Sequence, residues 1–116
     1  MKPRVLFIIT SDPRKSGKPA EAIRIAAGVS AWKKTEVSVY LRDAAVLALG
    51  EDTADLVNED NFTRYLPMLA ETKNPVYVQK DNSTLADLGE CSVEIKQLSD
   101  RDLAELAAGH NYVLRF

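Results

Sequence analysis

The segment Arg4–Ile9, with the sequence RVLFII, is a short continuous apolar run near the start of the chain. An unbroken run of this length is typical of a parallel strand that is covered on both faces. Four later segments also have strand character, and helical patterns separate them: Glu36–Leu41, Pro75–Gln79, Val93–Leu98 and Asn111–Phe116. The alternation predicts an α/β fold with a five-stranded parallel sheet. With right-handed crossovers, residues 1–116 form one doubly wound domain, a three-layer α/β/α sandwich.

Helical patterns occupy the connections between these strands. The predicted helices are Ser16–Trp32, Asp43–Gly50, Asn61–Glu71, Ser83–Gly89 and Ser99–Gly109. In the first helix, apolar residues at helical spacing predict one buried face, which contains Ala22, Ile25, Val29 and Trp32, with Ile23 and Ala26 beside them. The last helix has the clearest boundaries, because Ser99 and Asp102 form a capping pair and Gly109 ends it.

The composition indicates a globular chain, with 46% apolar and 28% charged residues. A net charge of −2 gives no general attraction for nucleic acid or anionic lipid, and the aromatic residues do not interleave with a basic stripe. No apolar run approaches the roughly 18 residues of a membrane span. A single cysteine cannot form an internal disulfide, which fits a reducing compartment. We therefore expect a cytoplasmic protein without nucleic-acid or membrane partners.

Ligands in such a sheet bind outside the carboxyl ends of the strands. The connections expected at this rim are Thr10–Lys18, Arg42–Asp43, Gln79–Asn82 and Ser99–Asp100. The connections expected at the opposite rim are Lys33–Thr35, Thr72–Asn74, Glu90–Ser92 and His110. The first set is where we expect a ligand site.

Cys91 and His110, the single cysteine and the single histidine, both precede a predicted strand. They fall at the rim away from the expected site, which argues against a catalytic Cys–His pair. Cys91 is expected to be a half-buried small apolar residue. His110 is expected to be a solvated turn residue after a helix C-terminus. One cysteine and one histidine also cannot supply the four ligands of a structural zinc site, and no cofactor is indicated.

The loop TSDPRKSGKPAEA, which follows the first strand, has two interpretations. It leads into a helix N-terminus, where free N–H groups favour an anion such as a nucleotide or flavin phosphate. Its candidate anion-binding residues are Ser11, Arg14, Lys15, Ser16 and Lys18. The loop matches neither of the glycine-rich phosphate-binding patterns. A solvated basic loop is therefore the simpler interpretation.

The short helix Asp43–Gly50 also has two interpretations. Its apolar residues Val46, Leu47 and Leu49 either contact the core or form an exposed patch. An exposed apolar patch marks a contact with another protein, so the second interpretation makes this helix a subunit interface.

The order of these features resembles the DsrE/DsrF-like family of small α/β proteins linked to intracellular sulfur transfer. The segments that carry the resemblance span nearly the whole chain: RVLFIITSDP, AEAIRIAAGV, EVSVYLRDAAVLALG, PVYVQKDNSTLADLG and VEIKQLSDRDLAELAAGHNYVLRF. The resemblance implies the three-layer fold and assembly into trimers or hexamers, either with itself or with other DsrE-like subunits.

In active members of this family, a persulfide-carrying cysteine follows the strand that resembles PVYVQ, in a pattern similar to V-x-V-C-x-x-[CS]. The matching positions here are Val78, Gln79 and Asn82, so neither cysteine position holds a cysteine. A sulfur carrier needs an accessible thiolate. The resemblance therefore implies the scaffold without the carrier step. The polar pocket mouth that it leaves is lined by Gln79, Lys80, Asp81, Asn82 and Ser83, together with Ser11 and Asp43.

Three functions follow from the sequence. The first is a non-catalytic DsrE-like binding or assembly subunit associated with a sulfur relay, and we favour it because the thiol is missing at the family position. The second is a sulfurtransferase that carries a persulfide on Cys91, which requires an exposed thiol with a lowered pKa. The third is a nucleotide- or flavin-binding module that uses the Ser11–Lys18 loop.

Overall fold

The computed structural model describes residues 2–72, 74–91 and 93–116. Lys73 and Ser92, which the sequence places at the rim away from the ligand site, lie outside the described residues. The strands are β1 (Arg4–Ile9), β2 (Glu36–Leu41), β3 (Val76–Gln79), β4 (Ile95–Leu98) and β5 (Tyr112–Arg115). The α-helices are α1 (Lys18–Ala31), α2 (Glu59–Ala70) and α3 (Asp100–Ala108), and 3-10 helices span Asp43–Leu49 and Ser83–Asp87.

The strands form one parallel sheet in the order β4-β3-β2-β1-β5. This arrangement confirms the predicted α/β fold with a five-stranded parallel sheet. The central part of β1 pairs on both sides, with Leu6 opposite Ser38 of β2 and opposite Val113 of β5. The connection from β4 through α3 to β5 carries the chain from one edge of the sheet to the other.

The two faces of the sheet are covered unequally. Side chains alternate between the faces along each strand, so Phe7 and Ile9 point to one face and Leu6 and Ile8 to the other. On the first face, which we call the two-helix face, α1 and α2 pack side by side over the large core. On the second, the one-helix face, α3 packs over a smaller core through Leu103, Leu106 and Ala107.

The buried face of α1 agrees with the predicted one at Ala22 and is turned towards Ile23 and Ala26, which the sequence places beside it. Its buried residues include Ala22, Ile23, Ala26 and Ala27, whereas Trp32 at the helix end is 73% exposed. The alanines leave little bulk between α1 and its neighbours, so the helix lies close to the sheet and to α2. The prediction that Trp32 shares the buried face was therefore wrong.

The first 3-10 helix belongs to the core of the same chain. Val46 and Leu49 are fully buried within the two-helix core, and Leu47 is half-buried against it. The expectation of a subunit interface at these residues is therefore not supported, because the chain covers its own apolar side chains.

His110 is not a solvated turn residue, contrary to the expectation. It is half-buried, and its two ring nitrogens contact the backbone carbonyl of Leu106 and the hydroxyl of Ser38. The connection from α3 to β5 crosses the one-helix face at this point, which brings the imidazole over the buried Ser38 of β2.

Candidate functional site

Gln79, the last residue of β3, is the centre of a hydrogen-bonded group at the carboxyl rim of the sheet. Its side-chain carbonyl accepts hydrogen bonds from the backbone N–H of Asp43 at 3.0 Å and from the side-chain amide of Asn82 at 3.1 Å. Asn82 also donates to the backbone carbonyl of Asp43 at 3.1 Å and accepts from the backbone N–H of Thr84 at 2.9 Å. The connections that follow β2 and β3 are therefore fixed to each other.

Two aspartates in left-handed backbone conformations lie at these strand ends. Asp43 has a φ of 53° and Asp81 a φ of 60°. Few residues other than glycine adopt this region, although aspartate is among those that tolerate it. The left-handed turn at Asp43 accompanies the bond from its N–H to Gln79, and the N–H of Asp81 donates to the side chain of Gln97 at 3.4 Å.

An open polar hollow of about 290 Å³ lies beside this group. Its lining residues are Asp43, Ala44, Gln79, Asp81, Asn82, Ser83 and Thr84. A more apolar hollow of about 230 Å³ lies next to Phe62, Leu66 and Pro67, but it is away from the strand ends. We take the polar hollow as the candidate site, because ligands of open parallel sheets bind at the carboxyl rim and polar groups converge there.

Tyr40 and Arg42 lie near the hollow, on β2 and just after it. The guanidinium of Arg42 is 3.7 Å from the carboxylates of both Asp43 and Asp100. Tyr40 is fully buried, and its hydroxyl has no hydrogen-bond partner among the described residues. Burial raises the pKa of Tyr40, and the positive charge of Arg42 partly opposes that rise. The hydroxyl is therefore held neutral beneath the rim.

The loop after β1 satisfies many of its donors internally. The carboxylate of Asp12 accepts from the backbone N–H of Arg14 at 2.9 Å and also binds its guanidinium at 2.9 and 3.0 Å. Hydrogen bonds from Arg14 lower the pKa of Asp12. The hydroxyl of Ser16 accepts from the N–H of Lys18 at 3.1 Å. A bound anion would have to compete with Asp12 for the same donors.

Cys91 lies before β4, at the rim away from the candidate site. It is half-buried and packs against the two-helix core. Burial raises the pKa of the Cys91 thiol above its usual value. A raised pKa leaves less thiolate at neutral pH, which is opposite to the requirement of a sulfur carrier.

The structure thus brings together one part of the predicted site. Asp43, Gln79 and Asn82 meet at the rim, as the sequence predicts. The other predicted residues, Ser11, Arg14, Lys15, Ser16 and Lys18, belong to a separate loop, which is bonded to Val57 through Pro13. No cluster of three metal-ligating side chains occurs in residues 2–72, 74–91 and 93–116. Asp100, which pairs with Arg42, belongs to the rim connection Ser99–Asp100 that the sequence predicts. Tyr40 was missed, because nothing in the sequence distinguishes a buried hydroxyl near a rim from an ordinary core tyrosine.

Comparison with solved structures supports the fold assignment. The fold is that of YchN from E. coli. The two structures superpose with a TM-score of 0.80 over 100% of both chains, at 18% sequence identity. YchN has a DsrE/DsrF-like fold, so the resemblance seen in the sequence holds for the fold. At this identity YchN informs the fold alone, and no protein-family model or curated protein matches the sequence.

Proposed function

We propose that this protein is a non-catalytic DsrE/F-like binding or assembly subunit associated with an intracellular sulfur relay. The observation that carries the proposal is the chemistry of Gln79, which occupies the position where the resemblance implies a carrier cysteine. An amide cannot hold a persulfide, and the carbonyl of this amide is already committed to two hydrogen bonds. The family fold is thus retained, whereas the cysteine that would carry sulfur is replaced by a glutamine that makes structural hydrogen bonds.

The binding role is assigned to the polar hollow at the rim. Gln79 uses its carbonyl within the protein, so its amide N–H groups are the part that can serve a ligand. The carboxylates of Asp43 and Asp81 are exposed beside it. The anion-binding loop Ser11–Lys18 is a weaker candidate, since Asp12 occupies part of its donor set.

The assembly role is assigned to a homo-oligomer, a trimer or hexamer as the resemblance implies, or to a complex with other DsrE-like subunits in the cytoplasm. No helix in residues 2–72, 74–91 and 93–116 has both the length and the apolar character needed to cross a bilayer.

The alternative function, a sulfurtransferase that uses Cys91, has the burial and the raised pKa of that thiol against it. The experiment that separates the two is intact-mass measurement after incubation with a cysteine desulfurase and cysteine, or with thiosulfate, before and after reductant. We expect no reductant-labile gain of sulfur in the unmodified protein. A gain that disappears in Cys91→Ser would show that Cys91 carries sulfur and would overturn the proposal.

A further inference from the structure

The solvent face of α1 carries a set of residues that the fold itself does not use. The centre of this face is formed by Glu21, Gly28 and Trp32, which are at helical spacing. Arg24 and Ala31 lie beside them, and all five residues are exposed. Trp32 is 73% exposed, more than any other large apolar side chain among the described residues. An exposed tryptophan at a helix end is a side chain that can contact another protein.

Gly28 lies at the middle of this face. Apart from its chain neighbours and the backbone of α1 itself, a Cβ atom at this position would meet no described atom within 4 Å, so the packing of the chain leaves room for a side chain there. A glycine inside a helix lowers its stability relative to alanine. Packing within a single copy of the chain does not require a glycine at this position. The missing side chain does leave a flat place on α1, where the backbone of a second helix can approach closely.

We propose that α1 packs antiparallel against α1 of a second copy of this chain, with the two-fold axis at Gly28. Such an axis brings each residue before Gly28 opposite the residue equally far after it in the second copy. Arg24 and Trp32 are both four residues from Gly28, about 6 Å along the helix axis. Arg24 of each copy therefore meets Trp32 of the other, and the tryptophan covers the flat guanidinium.

The charges at the two ends of this face also favour the antiparallel arrangement. Glu21 lies seven residues before Gly28, and the exposed Lys33 and Lys34 follow the end of α1 at Ala31. The two-fold contact places the carboxylate of each copy beside the end of α1 in the other copy, which is followed by these two lysines. A parallel pair would instead bring the lysines of both copies together, which is unfavourable. Glu21 also pairs with Arg24 in the same chain, which holds the guanidinium on this face.

This inference rests on the assembly part of the proposed function and specifies one of its contacts. The partner that binds the solvent face of α1 is a second copy of the chain. The residues on one side of Gly28 complement those on the other side, so the face is complementary to itself. A contact between two helix faces is small compared with a standard interface, so it joins two copies or two smaller assemblies rather than building a whole oligomer.

The test is sedimentation velocity of the full chain over a wide range of concentration. In Gly28→Gln, the long side chain occupies the crossing point, so we expect the dissociation constant of the pairing step to rise by about tenfold or more. Glutamine is a better helix former than glycine, so the thermal midpoint of the monomeric unit should not fall. Trp32→Ala should weaken the same step, while Ala104→Gln, at an exposed position on α3, should leave it unchanged.

The outcomes separate the inference from the proposed function. An unmodified protein that sediments as a trimer, or an assembly that Gly28→Gln leaves intact, overturns the α1 contact only. A protein that is monomeric at all concentrations overturns both the contact and the assembly role. In a further variant, Glu21→Lys should weaken pairing. Adding Lys33→Glu and Lys34→Glu to the Glu21→Lys chain should restore it. Failure of that rescue also counts against the two-fold contact.

Discussion

The Nε2 atom of His110 lies 3.1 Å from the hydroxyl oxygen of Ser38, while Nδ1 lies 2.6 Å from the backbone carbonyl of Leu106. The carbonyl can only accept, so in the neutral imidazole Nδ1 carries the proton and Nε2 accepts from the serine hydroxyl. Ser38 is a polar residue in the interior of the protein, at 5% exposure on the one-helix face. The imidazole thus satisfies a buried hydroxyl and fixes the end of α3 to β2.

His110→Ala should lower the free energy of unfolding by about 1–3 kcal/mol, because it leaves the hydroxyl of Ser38 buried without a partner. Chemical denaturation with circular dichroism measures the change. The combined variant Ser38→Ala, His110→Ala removes both partners and should recover part of the loss. If His110→Ala alone does not lower the free energy of unfolding, the contact between His110 and Ser38 does not stabilise the fold.

Tyr40→Phe should leave the stability at neutral pH unchanged or raise it by up to about 1 kcal/mol, since the lost hydroxyl has no partner in the part of the chain that the structure describes. The raised pKa of Tyr40 means that the unfolded chain ionises first, so stability is lost as the pH rises above the usual value of 10.0. The Tyr40→Phe variant should therefore lose less stability as the pH rises. A clear destabilisation at neutral pH would instead show that the hydroxyl binds water or a ligand at the rim.

The thiol of Cys91 should react slowly in the native protein, because it is half-buried and its pKa is raised. A cysteine introduced by Gln79→Cys lies at the rim beside the polar hollow, and we expect it to react at least about tenfold faster with a disulfide reagent. The Gln79→Cys, Cys91→Ser variant isolates the new thiol. Equal rates for the two thiols would contradict the assignment of Cys91 as a structural residue.

Asp12 should contribute stability that is lost in acid. Its pKa in the folded chain is lowered below the usual 3.8, so the contribution is present above that value and disappears as the pH falls through the lowered pKa. Asp12→Asn should therefore flatten the fall in thermal midpoint below about pH 4. The effect is small because the pair lies near the surface. An unchanged acid profile would show that the bonds to Arg14 do not persist in solution.

The sequence predicts the layers of this protein well because strand patterns and helical patterns alternate along it, beginning with the unbroken apolar run of β1. β1 and β2 have the predicted bounds, and the capping pair of α3 is present, with Ser99 accepting from Asp102 at 3.1 Å. These features depend on neighbours in the sequence. The rim group of Gln79 and Asn82 was also predictable, because the carboxyl ends of parallel strands meet at one rim.

The features that the sequence does not reveal depend on contacts between distant elements. Helical spacing alone placed Trp32 on the buried face of α1, whereas the packing of α1 on α2 selects the alanine side instead. His110 has no local signal for its contact with Ser38, which lies 72 residues earlier. The burial of Tyr40 likewise depends on distant elements, because Tyr40 shares the smaller core with residues of β4 and α3.

The pairing of β5 with β1 has a consequence for folding during synthesis. The backbone N–H of Arg4 donates to the side chain of Asn111, and Phe116 closes the ladder by donating to Ile8. Until residues 112–116 leave the ribosome, one edge of β1 has no partner, although β2, β3 and β4 are already available to form the rest of the sheet. A nascent chain therefore exposes a hydrophobic strand edge that other chains can join, and its protection depends on how quickly the last strand arrives.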